Sequence, residues 1–345
     1  MLMTARTIDI PAMPLPPRAR PAARLSFRGW LFNLVFNAVS RRMMRKSHGT
    51  AASFDLADAR EKLRSGESRM TTPPPGMQVT RAEAPVSADW VGVPESEEDR
   101  IILFVHSGSF IFGQSKLHRS LAARVCAMSR ARALAVDYRI APENPFPAAV
   151  EDVADAYEWL LDQGCAPDRI QFLGDSAGGG ISLGALLKLR ERGAPMPAAM
   201  TLLAPWADLT LSGRSILTNA HKATITNNIE ILMISRELYL QGHTPADPIA
   251  SPVFADLSGL PPALIQASTA DVLLDDSVRL EDGLHRAGVE VELSLYPPMP
   301  HGWQRLSALL PESRHAVSEI GDYINRNFGR NHPREPEPAQ GEHHV

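Results

Sequence analysis

Gly174-Asp175-Ser176-Ala177-Gly178-Gly179 is the stretch of this sequence that decides the fold. It follows the apolar run 169–173, which predicts a short buried strand, and it opens the segment 177–192, whose apolar residues recur at helical spacing. Gly-x-Ser-x-Gly between a strand and a helix is the tight turn on which an enzyme exposes a nucleophilic serine. Side chains at either outer glycine of that turn would collide. Ser176 is therefore the candidate nucleophile.

A base must take the serine proton, and the order of the sequence favours His301 for this role. A serine hydroxyl is a weak nucleophile near neutral pH unless a neighbouring base deprotonates it. His301 follows the predicted strand 290–296 through a Pro-rich turn and precedes Gly302-Trp303. His285 falls in a polar helical pattern, and the last histidines lie in a tail rich in Pro and Glu. We therefore expect His301 to be the base.

The acid that orients this base is expected at the end of the preceding strand, because the order nucleophile, acid, histidine is typical of such enzymes. Asp271 is the first carboxylate after the apolar run 263–268. Asp275 and Asp276 open the next predicted helix, where a negative charge near the N-terminus is favourable for structural reasons. We expect Asp271 to accept the imidazole N–H, fix the tautomer and stabilise the imidazolium.

The loop after the predicted strand 100–105 reads His106-Ser107-Gly108-Ser109-Phe110, and Asp137-Tyr138-Arg139-Ile140-Ala141-Pro142-Glu143 follows further along the chain. With these segments, the Gly-Asp-Ser-Ala-Gly-Gly turn and the segments around the candidate acid and base, residues 90–325 resemble the hormone-sensitive-lipase-like α/β-hydrolases, bacterial esterase family IV. The resemblance implies an α/β-hydrolase fold with a helical cap. It also implies hydrolysis of carboxylic esters of short to medium acyl chains, or of lactones; residues 271–276 and 299–301 are similar to those of monoterpene-lactone hydrolases.

The resemblance implies that the backbone N–H groups of Gly108, Ser109 and Ala177 form the oxyanion hole. The family usually has His-Gly-Gly-Gly in this loop, whereas this chain has serine at positions 107 and 109. Glycine adopts positive φ freely, and serine does so only at a cost. Either the loop accommodates serine or the hole is imperfect. A further alternative is that the hydroxyls of Ser107 and Ser109 are extra donors near the acyl group.

Strand and helix patterns alternate from residue 100 onward, which predicts an α/β fold with a mainly parallel central sheet and helices on both faces. Ligand is then expected at the carboxyl ends of the strands, where His106, Ser176, Asp271 and His301 fall. We expect residues 1–25 to be disordered and residues 26–75 to form N-terminal cap helices. Residues 76–328 are expected to form the catalytic domain, with a cap insertion at about 206–250, and residues 329–345 a disordered tail.

The segment from Phe27 to Arg45 predicts a helix that is apolar nearly all round and that ends in basic residues. Its apolar run, Trp30 to Val39, is too short for a membrane span and carries Asn33 and Asn37. A secretory signal would need its apolar region nearer the start and a small-residue cleavage site. We expect the apolar circumference of the helix to be buried, because such a patch would otherwise be sticky. We favour its packing in the cap, and the alternative is peripheral membrane contact through residues 27–46.

Composition and charge restrict the class of function. The 345 residues have a net charge of −4, which gives no basis for nucleic-acid binding. Cys126 and Cys165 have no metal or redox spacing, which suits a reducing cytoplasm. We expect a small ester as substrate and neither a metal nor an organic cofactor, and the oligomeric state stays open. The alternative functions are an amidase or peptidase, and a non-catalytic ligand receptor on the same fold.

Overall fold

Residues 15–46, 55–220 and 228–329, as described by a computed structural model, form one mixed sheet with helices on both faces. Along the sheet the strand order is β1-β9-β8-β7-β6-β4-β5-β3-β2. β3 runs antiparallel to both β5 and β2, and the other neighbours are parallel, so the predicted mainly parallel sheet is confirmed. The strands are β1 (Arg20–Pro21), β2 (Gln78–Arg81), β3 (Ala88–Gly92), β4 (Ile101–Val105), β5 (Arg132–Val136), β6 (Ile170–Asp175), β7 (Ala199–Leu203), β8 (Ala263–Ser268) and β9 (Val291–Tyr296).

The helices cover both faces of this sheet because the central strands are apolar on both sides. In β4, Leu103 packs in one apolar core and Phe104 packs in the other, and every residue of this strand is buried. Parallel strands covered on both faces have this continuous apolar composition. The helices are α1 (Phe27–Lys46), α2 (Leu56–Met70), α3 (Lys116–Ser129), α4 (Ala148–Asp162), α5 (Ala177–Glu191), α6 (Ser215–Thr218), α7 (Ile229–Leu240), α8 (Leu274–Arg286) and α9 (Pro311–Asn327).

The strand order brings the candidate residues to one edge of the sheet. β6 lies between β4 and β7, and β8 lies beside β9. The segments at Ser176, Asp271 and His301 therefore follow the carboxyl ends of β6, β8 and β9, and the loop at His106 follows β4. In open α/β sheets the ligand site lies at this edge.

The N-terminal segment differs in part from the expectation of disorder over residues 1–25. Arg20 and Pro21 form β1, which pairs with β9 in parallel, and the N–H of Ala22 donates to the carbonyl of Leu295 at 2.9 Å. Arg18 also pairs with the buried carboxylate of Glu281 at 2.7 Å. Residues 1–14, and residues 330–345 of the expected disordered tail, lie outside the described residues.

Helix α1 forms where it was predicted, but much of its apolar surface is exposed. Phe32 packs against the apolar cluster that contains Tyr296 and Trp303, and the side-chain amide of Asn33 donates to the carbonyl of Pro298 at 2.6 Å. The expected burial of the whole circumference is therefore wrong. Six apolar side chains remain between 44% and 74% exposed: Phe27, Trp30, Leu31, Leu34, Val35 and Val39. Among the described residues, no helix has the length and hydropathy that a membrane span requires.

The expected cap insertion, residues 206–250, contains α6 and α7, and residues 221–227 of it lie outside the described part of the chain. Tyr239 of α7 is buried, and its ring stacks on that of Phe110 with centroids 4.0 Å apart. Trp206 packs on the same Phe110 ring at 5.1 Å. The insertion therefore contacts the loop that follows β4.

Candidate active site

Ser176 lies at the junction of β6 and α5 in a strained backbone conformation, with φ of 57° and ψ of −116°. A Cβ on Gly174 would lie 2.6 Å from the carbonyl oxygen of Gly178, and one on Gly178 would lie 2.1 Å from that of Val105. Glycine is therefore required at both positions, as the sequence predicts. Strain of this kind persists only where the surrounding structure enforces it, and it concentrates at functional sites.

The structure brings Ser176, His301 and Asp271 into one hydrogen-bonded chain. The Oγ of Ser176 lies 2.8 Å from Nε2 of His301, and Nδ1 of the same ring lies 2.8 Å from Oδ2 of Asp271. Asp271 is fully buried. Since the carboxylate accepts the Nδ1–H, the neutral ring presents Nε2 as an acceptor toward the serine hydroxyl. This is the geometry in which a histidine deprotonates a serine.

The groups around His301 raise the pKa of its imidazole above the ordinary value in water. Burial lowers the pKa of this imidazole, but the charge of Asp271 and the hydrogen bond to it outweigh burial, so the pKa is raised above its ordinary value of 6.5. Asp175 raises the pKa further and Arg305 lowers it. A base whose pKa lies near the working pH is efficient at both proton uptake and proton release.

The loop that the family resemblance assigns to the oxyanion hole, residues 106–110 (the oxyanion loop), has left-handed backbone at its centre. Gly108 has φ of 138°, and a Cβ there would lie 2.3 Å from the carbonyl oxygen of Phe112. Ser109 has φ of 50° and Phe110 has φ of 66°. Ser107 is not among the positive-φ residues of the described chain. Of the two serines that replace glycine, only Ser109 therefore occupies a conformation that favours glycine.

The nucleophile turn, residues 174–178, lies directly against the oxyanion loop. Gly178 packs on the carbonyl oxygens of Val105 and His106, where a Cβ would lie 2.1 Å and 2.5 Å away. This contact brings Ala177, at the N-terminus of α5, close to the start of the loop. Helix N-termini present free N–H groups to negative charge. The three candidate donors, Gly108, Ser109 and Ala177, thus lie on two adjacent segments.

His106 supports the oxyanion loop rather than the reacting atoms. Its Nδ1 lies 2.6 Å from the carbonyl oxygen of Ser107, and its ring stacks on Tyr138 with centroids 4.1 Å apart. The Tyr138 hydroxyl donates to the carbonyl of His106 at 3.0 Å. Full burial lowers the pKa of His106 to about 4, so the ring is neutral near pH 7 and its Nδ1 is the donor.

Two side chains that sequence reasoning gave no role contact this loop. The Oγ of Ser107 lies 2.7 Å from Nε2 of His118 and 2.5 Å from Nη1 of Arg305. The alternative that the Ser107 hydroxyl serves the acyl group must therefore compete with both of these contacts. His118 lies within the segment that resembles the family, residues 90–325, but no sequence signal identifies Arg305, since its contact with Ser107 joins residues 198 positions apart.

Asp275 and Asp276 are structural residues, as expected, and they accept hydrogen bonds from outside their own helix. The Oδ2 of Asp276 accepts from the N–H groups of Ala207 and Asp208 at 2.9 Å and 3.0 Å. The Oδ2 of Asp275 accepts from the N–H of Ser215 at 3.1 Å. Both carboxylates lie in the first turn of α8, as the sequence predicts, but within the described residues the N-cap residue Leu273 makes no side-chain cap bond. Both carboxylates also hold the start of the cap insertion.

Known proteins share this fold and this sequence pattern. A family model described as alpha/beta hydrolase fold matches residues 102–305. An acetyl-hydrolase of Streptomyces hygroscopicus is 40% identical over 256 residues, which cover 74% of this chain and 84% of the relative. The carboxylesterase NlhH of Mycobacterium tuberculosis is 31% identical over 292 residues, covering 77% of this chain and 88% of the relative.

A solved structure agrees with these relatives. The crystal structure of an esterase from the bacterial hormone-sensitive lipase family has a TM-score of 0.81 at 35% identity, covering 89% of this chain and all of that one. The chain belongs to the α/β-hydrolase fold family. Its resemblance to the hormone-sensitive-lipase-like esterases is confirmed, whereas the similarity to monoterpene-lactone hydrolases stays a prediction.

Proposed function

We propose that this chain hydrolyses carboxylic esters of short to medium acyl chains through an acyl-enzyme on Ser176. The observation that carries the proposal is the continuous hydrogen-bonded chain from the serine Oγ through both nitrogens of His301 to Asp271. A receptor that only binds its ligand does not need this geometry, so the catalytic function is favoured over the receptor alternative. Family membership and relatives named as esterases support the carboxylic-ester-hydrolase class.

In the acylation step, the Oγ of Ser176 attacks the ester carbonyl carbon while Nε2 of His301 takes the hydroxyl proton. The carbonyl π electrons move to oxygen, and the oxyanion accepts hydrogen bonds from the N–H groups of Gly108, Ser109 and Ala177. Asp271 stabilises the imidazolium. The Nε2–H then protonates the leaving alkoxide oxygen, the C–O bond breaks, and the alcohol departs from the acylated serine.

Deacylation repeats this chemistry with water as the nucleophile. His301 takes a proton from the water as its oxygen attacks the acyl carbon, and the same N–H groups hold the second oxyanion. The imidazolium returns the proton to the Oγ of Ser176, and the acid is released. Every proton transfer in the cycle uses one ring nitrogen, so the reaction needs no metal or organic cofactor.

The preference for short and medium acyl chains rests on the family resemblance and on the cap insertion. Tyr239 and Trp206 both pack on Phe110, which directly follows the oxyanion loop residue Ser109. These three rings are buried, so they hold the cap insertion in a fixed position against the oxyanion loop. The name of the relative from Streptomyces hygroscopicus, an acetyl-hydrolase, is consistent with small acyl groups. Lactones remain within the proposed substrate range.

The decisive experiment compares p-nitrophenyl esters of two to sixteen carbons, lactones and anilide amides, using the wild type and Ser176→Ala. We expect turnover of the short and medium esters and a loss of about 10⁶-fold in the variant, as in other enzymes of this mechanism. A fluorophosphonate probe should label the peptide that contains residue 176. Labelling at Ser107 or Ser109, or faster turnover of amides than of esters, would contradict the proposal.

We infer further that α1 makes peripheral contact with an anionic membrane surface and does not span the membrane. Its exposed face carries apolar side chains that include Trp30, Leu31 and Leu34, whereas its opposite face is fixed to the domain through Phe32 and Asn33. The helix sequence contains five basic residues and no acidic one. An apolar face flanked by positive charge is typical of helices that lie in the lipid interface. The packing partners of α1 lie near residues 296–316, which gives the cap alternative less support.

Vesicle sedimentation separates these alternatives. Trp30→Ser combined with Leu34→Ser should abolish binding to phosphatidylglycerol vesicles and leave the kinetics on soluble esters unchanged, because both side chains point away from the domain. Leu63→Ser combined with Val79→Ser is the matched control, since these exposed apolar residues lie outside α1. A changed acyl-chain preference without a change in vesicle binding would favour the cap alternative.

A further inference from the structure

Arg305 contacts three segments of the site that lie far apart in the sequence. Its Nη1 donates to the Oγ of Ser107 in the oxyanion loop and lies 3.5 Å from Oδ2 of Asp175 in the nucleophile turn. Its Nε donates to the carbonyl of Gly302 at 3.2 Å, directly after the base. The Arg305 side chain is only 14% exposed. A single guanidinium therefore bridges the oxyanion loop, the nucleophile turn and the turn that carries His301.

The turn after His301 has the shape that admits this guanidinium. Gly302 has φ of 70°, and a Cβ at this position would lie 1.9 Å from Nη2 of Arg305. The positive φ favours glycine at residue 302, and the absence of a side chain there leaves room for the guanidinium in its observed position. The guanidinium therefore packs directly against the backbone of the turn that follows the base, and its Nε bonds to that backbone.

The hydroxyl oxygen of Ser107 is a hydrogen-bond acceptor for Arg305 and His118. The glycine that the family usually has at this position carries no side-chain acceptor. The N–H of Ser115 donates to Nδ1 of His118 at 3.1 Å, so the hydrogen of the neutral ring is on Nε2. Burial holds the pKa of His118 well below its ordinary value, which keeps the ring neutral. The Ser107 oxygen thus accepts from Nε2–H of His118 and from Arg305. Two donors on one hydroxyl oxygen fix the side chain, and through it the start of the oxyanion loop.

Asp175 gives the guanidinium a second function. Its carboxylate is buried, and within the described residues neither of its oxygens accepts a hydrogen bond. A buried carboxylate without compensation is costly, and the neighbouring cation reduces that cost. The negative charge of Asp175 raises the pKa of His301 and the positive charge of Arg305 lowers it. Arg305 therefore also offsets the effect of Asp175 on the base.

We propose that Arg305 is a positioning residue of this esterase, which fixes the oxyanion loop through Ser107 and balances the charge of Asp175 beside the base. The proposal rests on the proposed function, because both effects act on ester hydrolysis at Ser176. Arg305 does not touch the reacting atoms. It acts through the position of the loop N–H groups and through the electrostatic potential at His301, whose charged neighbours are Asp271, Asp175 and Arg305 itself.

The test compares Arg305→Met, Arg305→Lys and Ser107→Ala with the wild type, with rates normalised to active sites titrated by a fluorophosphonate. We expect Arg305→Met to lower kcat by roughly 10²-fold with KM nearly unchanged, since displaced catalytic groups cost about this much. It should also move the acidic limb of kcat/KM to higher pH. Arg305→Lys keeps the charge and should retain the wild-type pH midpoint. Ser107→Ala should lower kcat without moving that midpoint.

Arg279→Met is the matched control. Arg279 likewise binds a buried carboxylate, Asp208 at 2.6 Å, and a serine hydroxyl, Ser212 at 3.1 Å. We expect this variant to lose thermal stability and to keep the pH midpoint. If Arg305→Met behaves like Arg279→Met, with an unchanged kcat per titrated site, the positioning role is refuted. If Arg305→Met does not fold, a loss of kcat in both Arg305→Lys and Ser107→Ala supports the positioning role. An unchanged kcat in both variants refutes it.

A coupling measurement completes the test. If the two residues act through one contact, Arg305→Met combined with Ser107→Ala should cost less in kcat than the product of the single effects. Multiplicative effects would show that the loop is not held through this pair. An inactive wild type would refute the proposed function itself, whereas an active wild type with independent variants would refute only the role of Arg305.

Discussion

The carboxylate of Asp271 is held at both oxygens, because Oδ2 lies 2.8 Å from Nδ1 of His301 and Oδ1 accepts from the N–H of Leu273 at 3.0 Å. The backbone bond fixes the plane in which the carboxylate meets the imidazole. We predict that Asp271→Asn lowers kcat by about 10⁴-fold, as expected when the acid no longer fixes the tautomer. Steady-state kinetics against a short p-nitrophenyl ester measures the loss. Asp275→Asn is the matched control and should keep its activity, and equal losses in both variants would refute the assignment.

The pH dependence of the reaction follows from the raised pKa of His301. The ring must be neutral to accept the serine proton, so kcat/KM should rise with pH through a midpoint above 6.5, the ordinary value for histidine. Asp271→Asn removes the charge that raises this pKa and leaves burial, which lowers it, so its midpoint should fall. Initial rates across pH for both proteins provide the measurement. A wild-type midpoint below that of Asp271→Asn would contradict the electrostatic argument.

Asp276 offers a matched pair of stability variants. Burial, followed by the charge of Asp208, holds the pKa of the Asp276 carboxyl well above its ordinary value. Asp276→Asn keeps an oxygen acceptor for the N–H groups of Ala207 and Asp208 and should unfold at nearly the wild-type temperature. Asp276→Ala leaves both N–H groups without this acceptor and should lose about 1–3 kcal/mol for each. Thermal denaturation distinguishes the two variants. If Asp276→Asn loses as much stability as Asp276→Ala, the role of the carboxyl oxygen as acceptor is refuted.

Ser109→Gly tests whether the oxyanion loop is strained. The φ of 50° at Ser109 lies in the left-handed region, where a side chain costs about 1–2 kcal/mol. Relief of this strain should raise kcat with little change in KM, because the benefit appears where negative charge develops. Ser107→Gly is the comparison and should not raise kcat, since residue 107 does not have positive φ and the change removes a bonded hydroxyl. A lower kcat in Ser109→Gly would instead assign the hydroxyl to substrate contact.

Much of the fold could be predicted because its signals are local. Helix α3, Lys116–Ser129, follows β4 as the alternating strand and helix pattern predicts, and a capping box between Ser115 and His118 fixes its start. Strand β8 has its predicted bounds, Ala263–Ser268, since buried parallel strands have continuous apolar runs. By contrast, β2 is exposed along its whole length and β1 has only two residues, so neither carries a periodic pattern.

The site divides in the same way. The proximity of Ser176, Asp271 and His301 could be predicted because each follows a recognisable strand and their order along the chain is informative. Arg305 could not, because its meaning depends on Ser107, which is remote in sequence and replaces the usual glycine. Nor could the sequence tell that Ser109 adopts positive φ and Ser107 does not, since backbone conformation in this loop depends on contacts such as Gly108 with Phe112.

The pairing of β1 with β9 has a consequence for how this chain behaves when shortened. β1 covers the outer edge of β9, where Arg20 and Pro21 lie opposite Ser294 and Leu295. Without the segment before α1, the N–H and C=O groups of β9 would form a free edge, which is a template for pairing with another strand. A variant that lacks the residues N-terminal to Ser26 should therefore associate through the free edge of β9 as its concentration rises. It would also lack Pro21, which cannot donate a backbone hydrogen bond to an added strand.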